Sequence, residues 1–400
     1  VAGNTVNGAL ELIAESLELP DSAYEKAKTR YEDLGQWFGR KDSRFQGNKP
    51  QVSAQGSFRL GTAIPPINAG EEYDLDLGCL LSEGISKQTH TQANLKALIG
   101  LEIEDYRLAR KIKSEKEEKH RCWRLHYEDA LKFHLDVVPC IPDDEAQKRI
   151  IRNAMRVAGA ETLLSERISN IAVAITDDRR PEYRTISSDW LCSNPEGYAQ
   201  WFESRMRLAD RFLQERAKRL NAASVNELPN YTWKTPLQRC VQLLKRHRDQ
   251  MFNKTPDLKP VSVIITSLAA RAYEGEADLE EAMKAILTKM PNFVGKVFPR
   301  VPNPVDPRED FADRWAMPEC RSLNLEKNFY DWLHQARRDF DALSSSGDAG
   351  FISEQSDQKL KLRLNSVSLK ERLSISSPVA ATIARPQIIS AQTRPWCPED

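Results

Sequence analysis

"AQGSFRLGTAIPPINAGEEYDLDLGCLL", residues 54–81, decides the reading of this chain. It holds a Gly-Ser pair, Gly56-Ser57, then a connection rich in helix and strand breakers, then the alternating run "EYDLDLGCLL", which reads as a strand. Successive side chains of a strand point to opposite faces, so Asp74 and Asp76 share one face and Leu75 and Leu77 the other. The leucines mark the core side. Two carboxylates side by side on the far face repel and lose solvation unless something positive lies between them. Taken alone, an Asp-x-Asp is also the charge pair of an ordinary edge strand, and a lone Gly-Ser is an ordinary turn.

Further along, "RCWRLHYEDALKFHLDVVPCIP" (121–142) alternates twice, through Trp123, Leu125 and Tyr127 and again through Phe133, Leu135 and Val137, and reads as a β-hairpin. Asp136 falls on the face opposite the second apolar set, a third carboxylate off the core side. The ordered combination is more specific than its parts: a Gly-Ser, an Asp-x-Asp strand starting seventeen residues later, and a distant Asp on another alternating strand. Carboxylates on adjacent strands make a hard-oxygen site suited to Mg²⁺, with Mn²⁺ as a substitute. Two such ions would activate an attacking hydroxyl and steady a leaving pyrophosphate. Gly56 would let the backbone approach a phosphate, and the Ser57 hydroxyl and nearby amides would donate to it. Arg59 reads equally as a phosphate contact or a solvent-facing side chain, and His134, on the face of Asp136, as a general base or a histidine satisfied within the sheet.

Around this centre the pattern is mostly helical. Tyr24, Tyr31, Leu34 and Phe38 predict a helix over 21–40, capped by Asp21 or Ser22, and "TQANLKALIGLEIEDYRLARK" predicts another. After Pro181 come a helix with Asn194 as N-cap and Pro195 in its first turn, running through "QERAKRL", and a helix striped by Leu237, Val241, Leu244 and Met251. "KPVSVIITSLAARAY" is apolar nearly all round, as a buried helix would be. From Ser344 the periodicity fades into Ser, Gly, Pro and Gln, which reads as a flexible tail. The expected organisation is therefore an α+β fold: a mixed-sheet core with N-terminal helices (1–185), a helical lobe (186–343) and the tail (344–400).

The bulk composition narrows the partners. Lys+Arg and Asp+Glu both number 58 in 400 residues, which disfavours long nucleic acid as the main ligand. No apolar run approaches the ~20 residues that span a bilayer, and the acidic N-terminal stretch lacks the basic region of a signal peptide. The seven cysteines show no zinc-ligand spacing, so free thiols in the cytoplasm are expected.

"QGSFRLGTAI…EEYDLDLGCLL…KFHLDVVPCIP" resembles the nucleotidyltransferase core of polymerase-β-like enzymes. More narrowly, it looks like the cGAS/DncV-like nucleotidyltransferases (CD-NTases) of bacterial CBASS anti-phage operons, and "DWLCSNPEGYAQWF" extends the resemblance over roughly residues 50–340. The resemblance implies a two-lobed enzyme with its cleft between core and helical lobe. Such an enzyme joins ATP and/or GTP into a cyclic oligonucleotide second messenger that reaches an operon-encoded effector. It implies that Asp74, Asp76 and Asp136 ligate the metals, with Asp136 also helping to activate the attacking hydroxyl. Gln55, Gly56 and Ser57 would bind the donor triphosphate. Lys245 in "QLLKRHRD" and Ser262 in "KPVSVII" best match the lysine and serine that relatives contribute from the helical lobe, although a solvated helix lysine and a plain cap also fit. The tail ending in "RPWCPED" reads as a handle for a regulatory partner or as a dispensable extension. Two other functions remain open on the residues: transfer to another acceptor (an RNA end, a small molecule or a protein hydroxyl), and nucleotide sensing without turnover.

Overall fold

The computed structural model describes residues 3–68, 70–127, 132–207, 234–365 and 369–371, with side chains from residue 8 onward. Its centre is a mixed sheet. β1 (Pro50–Ala54) pairs antiparallel with β2 (Tyr73–Leu81), and β2 runs parallel to β5 (Phe133–Pro142). β4 (Trp123–Tyr127) pairs antiparallel with β5 as the alternation predicts, and β3 (Glu117–Glu118) lies beyond it. β6 (Val173–Ile175) and β7 (Leu191–Ser193) extend the far end of β5.

Leu75, Leu77, Leu125, Leu135 and Val137 are fully buried on one face of the sheet. They join a core with α2 (Asp21–Phe38) and α4 (Gln92–Ala109), where Ala27, Leu34, Leu95 and Ile99 face them. The other face carries the carboxylates. Thr91 caps α4 through a reciprocal pair with Asn94, whereas α2 begins at Asp21 behind Pro20 with no side-chain cap. The expected Asp21/Ser22 cap is therefore absent, because Asp21 already lies in the first turn, where its charge favours the positive end of the helix dipole.

After α5 (Glu145–Val157) and α6 (Thr162–Asn170), α7 (Pro195–Met206) starts on the expected Asn194 cap. The continuation expected through "QERAKRL" lies outside the described residues. The helical lobe follows: α8 (Pro236–Met251), α9 (Ser262–Ala272), α10 (Leu279–Lys289) and α11 (Leu325–Ser345), with the short pair β8 (Pro302–Asn303) and β9 (Asp306–Asp310) between the last two. The first helix, α1 (Gly3–Glu15), packs Leu10, Ile13 and Ala14 into this helical core and not into that of the sheet.

The tail expected from Ser344 begins inside α11, and residues 349–360 form a further helix, α12, whose Ile352 and Leu360 are buried. That part of the chain is packed; its apolar positions are too few to show periodicity. The rest of the expected tail, 372–400, lies outside the described residues. Of the cysteines, Cys79, Cys140, Cys240 and Cys320 are buried and free, as expected. Among the described residues no helix is long and apolar enough to cross a membrane.

Candidate active site

The parallel pairing of β2 and β5 sets Asp76 beside Asp136 and Asp74 beside His134 on the solvent side of the sheet. Period-two alternation buries the leucines and, by the same geometry, brings the three carboxylates together. One ligand atom each from Asp74, His134 and Asp136 lie within 4.8 Å of one another. The two outer carboxylates each have a basic neighbour. His134 Nε2 is 2.9 Å from Asp74 Oδ1, while His134 Nδ1 and His126 Nδ1 both meet Glu72 Oε2, at 3.1 and 2.9 Å. Arg124 donates through Nε and Nη2 to the two oxygens of Asp136, each at 2.7 Å.

Asp76 has no such partner among the described residues. Burial and the charges of Asp74 and Asp136 raise its pKa to about 7, against a smaller opposing pull from His134 and Arg124. A carboxyl driven toward neutrality between two carboxylates is a site short of positive charge. Carboxylate oxygens from two adjacent strands suit a hard divalent cation, and the ligand atoms gathered closest here, from Asp74, His134 and Asp136, add one imidazole nitrogen to them.

Gly56 lies directly against this centre. Its φ is +59°, and a β-carbon there would come within 2.2 Å of Asp76 Oδ2, so both the left-handed backbone and the close approach require glycine. Ser57 follows in the short helix α3 (Gly56–Leu60), and Gly56, Ser57, Asp74 and Asp76 all line one cleft of about 710 Å³ between the sheet and the helical lobe. Gln55 is placed differently. Its Nε2 lies over Gly78, on the carboxylate face of β2 beyond Asp76, and it does not line the cleft.

The helical lobe forms the opposite wall. Lys245 and Ser262 both line it, as the sequence suggests. Lys245 is only 6 % exposed, and its Nζ donates to Thr62 O and Oγ1 at 3.1 and 3.2 Å. Burial, aided by Arg248, lowers its pKa to about 7, so the cleft wall holds a lysine close to giving up its charge. Ser262 begins α9 and accepts from Arg248 Nη1 at 3.1 Å. Arg59 lines the cleft but is largely withdrawn from solvent. Its guanidinium forks onto Glu196 at 3.0 Å and reaches Glu203 at 2.8 Å, tying α3 to α7. Of the groups that sequence reasoning missed, Arg124 had a signal: it alternates with His126 on a hairpin strand facing Asp136 and His134. Glu72 and Arg248 had none.

Comparison with known proteins gives the family and the fold. Residues 50–139 match the family model described as the nucleotidyltransferase domain of cyclic GMP-AMP synthase DncV-like proteins. The chain is 30 % identical over 353 residues to a c-di-GMP synthase of Roseivirga ehrenbergii, covering 86 % of this chain and 81 % of the relative. It is 23 % identical over 341 residues to the cyclic dinucleotide synthase CdnG of Bradyrhizobium diazoefficiens, covering 81 % and 74 %. The structure of the Bradyrhizobium diazoefficiens CD-NTase CdnG in complex with GTP superposes with a TM-score of 0.61 at 20 % identity, over 92 % of this chain and 98 % of that one.

Proposed function

Since this chain belongs to the DncV-like nucleotidyltransferases, the CD-NTase family, we propose that it joins ATP and/or GTP into a cyclic dinucleotide or short cyclic oligonucleotide. The observation that carries the reading is Asp76, which has no basic partner among the described residues and feels the charges of Asp74 and Asp136, with Gly56 pressed against it. A sensor without turnover has no use for three converging carboxylates, whose repulsion costs stability.

In this reading Asp74, Asp76 and Asp136 hold Mg²⁺. Two bound ions would supply the charge that favours hydroxyl attack on the α-phosphorus and departure of pyrophosphate. Gly56 leaves room for the triphosphate beside Asp76, and Ser57 donates to it. Lys245 takes up a proton as phosphate replaces Thr62 as its partner, and Ser262 and Arg248 extend the same wall. Gln55, whose side chain lies over Gly78 beyond Asp76, borders the triphosphate site from outside the cleft lining. The core and helical lobe, 1–185 and 186–343 with α1 docked on the latter, form the cleft between them.

The proposal extends to anti-phage signalling in the cytoplasm, with the product acting on an operon-encoded effector and the C-terminal stretch serving a regulatory partner. Its support is the family, to which the Roseivirga and Bradyrhizobium cyclic dinucleotide synthases belong. The test is incubation with each labelled triphosphate and their mixtures in Mg²⁺ or Mn²⁺, phosphatase treatment and mass spectrometry. A phosphatase-resistant product that disappears in Asp74→Asn/Asp76→Asn is expected; a product with a free end, or one formed only on an added RNA or protein, would refute cyclisation. Phage plating on cells carrying the operon with the same double variant tests the defence role.

A further inference from the structure

The three carboxylates are not supported alike. Among the described residues Asp74 leans on His134, Asp76 has no basic partner, and both oxygens of Asp136 are taken by one guanidinium. Arg124 reaches Asp136 from the neighbouring strand in direct register, so the pair is set by the sheet and not by two flexible side chains meeting on a surface. β4 itself is pinned. Leu125 is fully buried, and Trp123 lies flat on α4, where a β-carbon on Gly100 would come within 2.5 Å of its ring. The Trp123 indole N–H donates to Lys96 O at 2.8 Å. The nearest acidic group on the outer strand, Glu117, is engaged by Lys119 and His126. Arg124 is therefore left to Asp136, its one ion pair among the described residues.

We propose that Arg124 is a positioning residue that holds the third carboxylate in place and competes with the divalent cation for it. The inference rests on the reading of Asp74, Asp76 and Asp136 as the cation site. A planar fork fixes the carboxylate plane in a way that a single ammonium cannot. The same positive charge, one hydrogen bond away from a ligand oxygen, weakens what a cation gains there. The two effects oppose each other. Loss of the charge tightens the resting site for a cation, while loss of the fork frees Asp136 to rotate and slows turnover. A residue of merely structural use would lower affinity and turnover together, or neither.

The experiment is a Mn²⁺ titration of the full chain without nucleotide, followed by electron paramagnetic resonance, alongside steady-state kinetics. Arg124→Gln and Arg124→Met are expected to bind Mn²⁺ several-fold more tightly while kcat falls about 10- to 100-fold, the usual range for groups that orient a metal ligand. Arg124→Lys keeps the charge without the fork, so its Mn²⁺ affinity stays near that of the parent while kcat falls. Affinity unchanged or weakened in both uncharged variants, with the fold intact by circular dichroism, would overturn the proposal. Asp74→Asn/Asp76→Asn separates the two levels: if it binds Mn²⁺ as the parent does, the cation-site reading fails and Arg124's role with it.

Discussion

At Asp76 burial and two like-charged neighbours push in the same direction, and the nearest cations, belonging to its neighbours, push back less. A carboxyl whose folded pKa, about 7, exceeds its unfolded one binds extra protons in the folded state between about pH 4 and 7. Its stabilising contribution is full below the unfolded value and is lost as the pH rises through 7. Metal-free protein should therefore melt at progressively lower temperature across that window, and Asp76→Asn should flatten the slope and raise the melting point at pH 8 while abolishing product formation. Thermal melts in a chelator across the pH range check this. Lys245 gives the opposite sign. Without bound nucleotide it should be neutral above about pH 7, whereas triphosphate needs it charged, so binding draws in a proton. Triphosphate affinity should fall as the pH rises from 7 toward 10, and Lys245→Met should be weaker at neutral pH but lack this slope. Calorimetry in buffers of differing ionisation heat reads the proton uptake directly.

The helix α8 shows how an element reaches across the molecule to shape the site. Its apolar stripe was legible, but a second, polar stripe beside it is equally buried. Gln238 donates to Leu60 O at 2.9 Å, Gln242 to Ala63 O at 2.8 Å and Arg246 to Pro65 O at 2.8 Å, with Lys245 on Thr62 between them. These bonds satisfy carbonyls from the end of α3 onward, Leu60 to Pro65, a stretch that pairs with no strand among the described residues. Gln242→Leu removes the donor to Ala63 and leaves a buried carbonyl unpaired, at a cost of about 1–3 kcal/mol in urea unfolding. Because the same segment carries Thr62, the KM for triphosphate should rise more than the lost stability alone explains; unchanged KM in a folded variant would sever the link between this stripe and the cleft.

On the scale of the whole molecule, two cores face each other across the cleft, and several elements join them outside it. Arg59 binds α3 to Glu196 and Glu203 of α7. α12 packs beside α8, where Gln250 donates to Gln358 O at 3.1 Å, and Lys361 at its end reaches Asn68 on the cleft's rim at 2.8 Å. A chain ending at residue 345 would lose the burial of Ile352 and Leu360, each worth roughly 1.5–3 kcal/mol, and uncover α8. It should melt well below a chain ending at residue 371, which keeps α12, in the same calorimetric scan. Equal melting points would show that α12 adds nothing to the helical lobe.

The sequence by itself determined what local periodicity can carry. Alternation over two residues assigns Asp74, Asp76 and Asp136 to the face away from the leucines, and the Gly-Ser ahead of the strand marks where the backbone must come close. Helical spacing likewise placed α4, α8 and α9, and Asn194 announced the start of α7. Tertiary structure alone decided the partners. Which strand lies beside which, and in what register, gives Arg124 to Asp136 and His134 to Asp74; the approach of the helical lobe gives Lys245 to Thr62, and the packing of α7 on α3 gives Arg59 to Glu196 and Glu203. It also placed α1 and α12 on the helical lobe, where their few apolar side chains find a core that their own segments do not announce. Faces follow from bonds between neighbours in the chain, whereas partners follow from contacts between residues far apart in it, and those exist only once the chain has closed on itself.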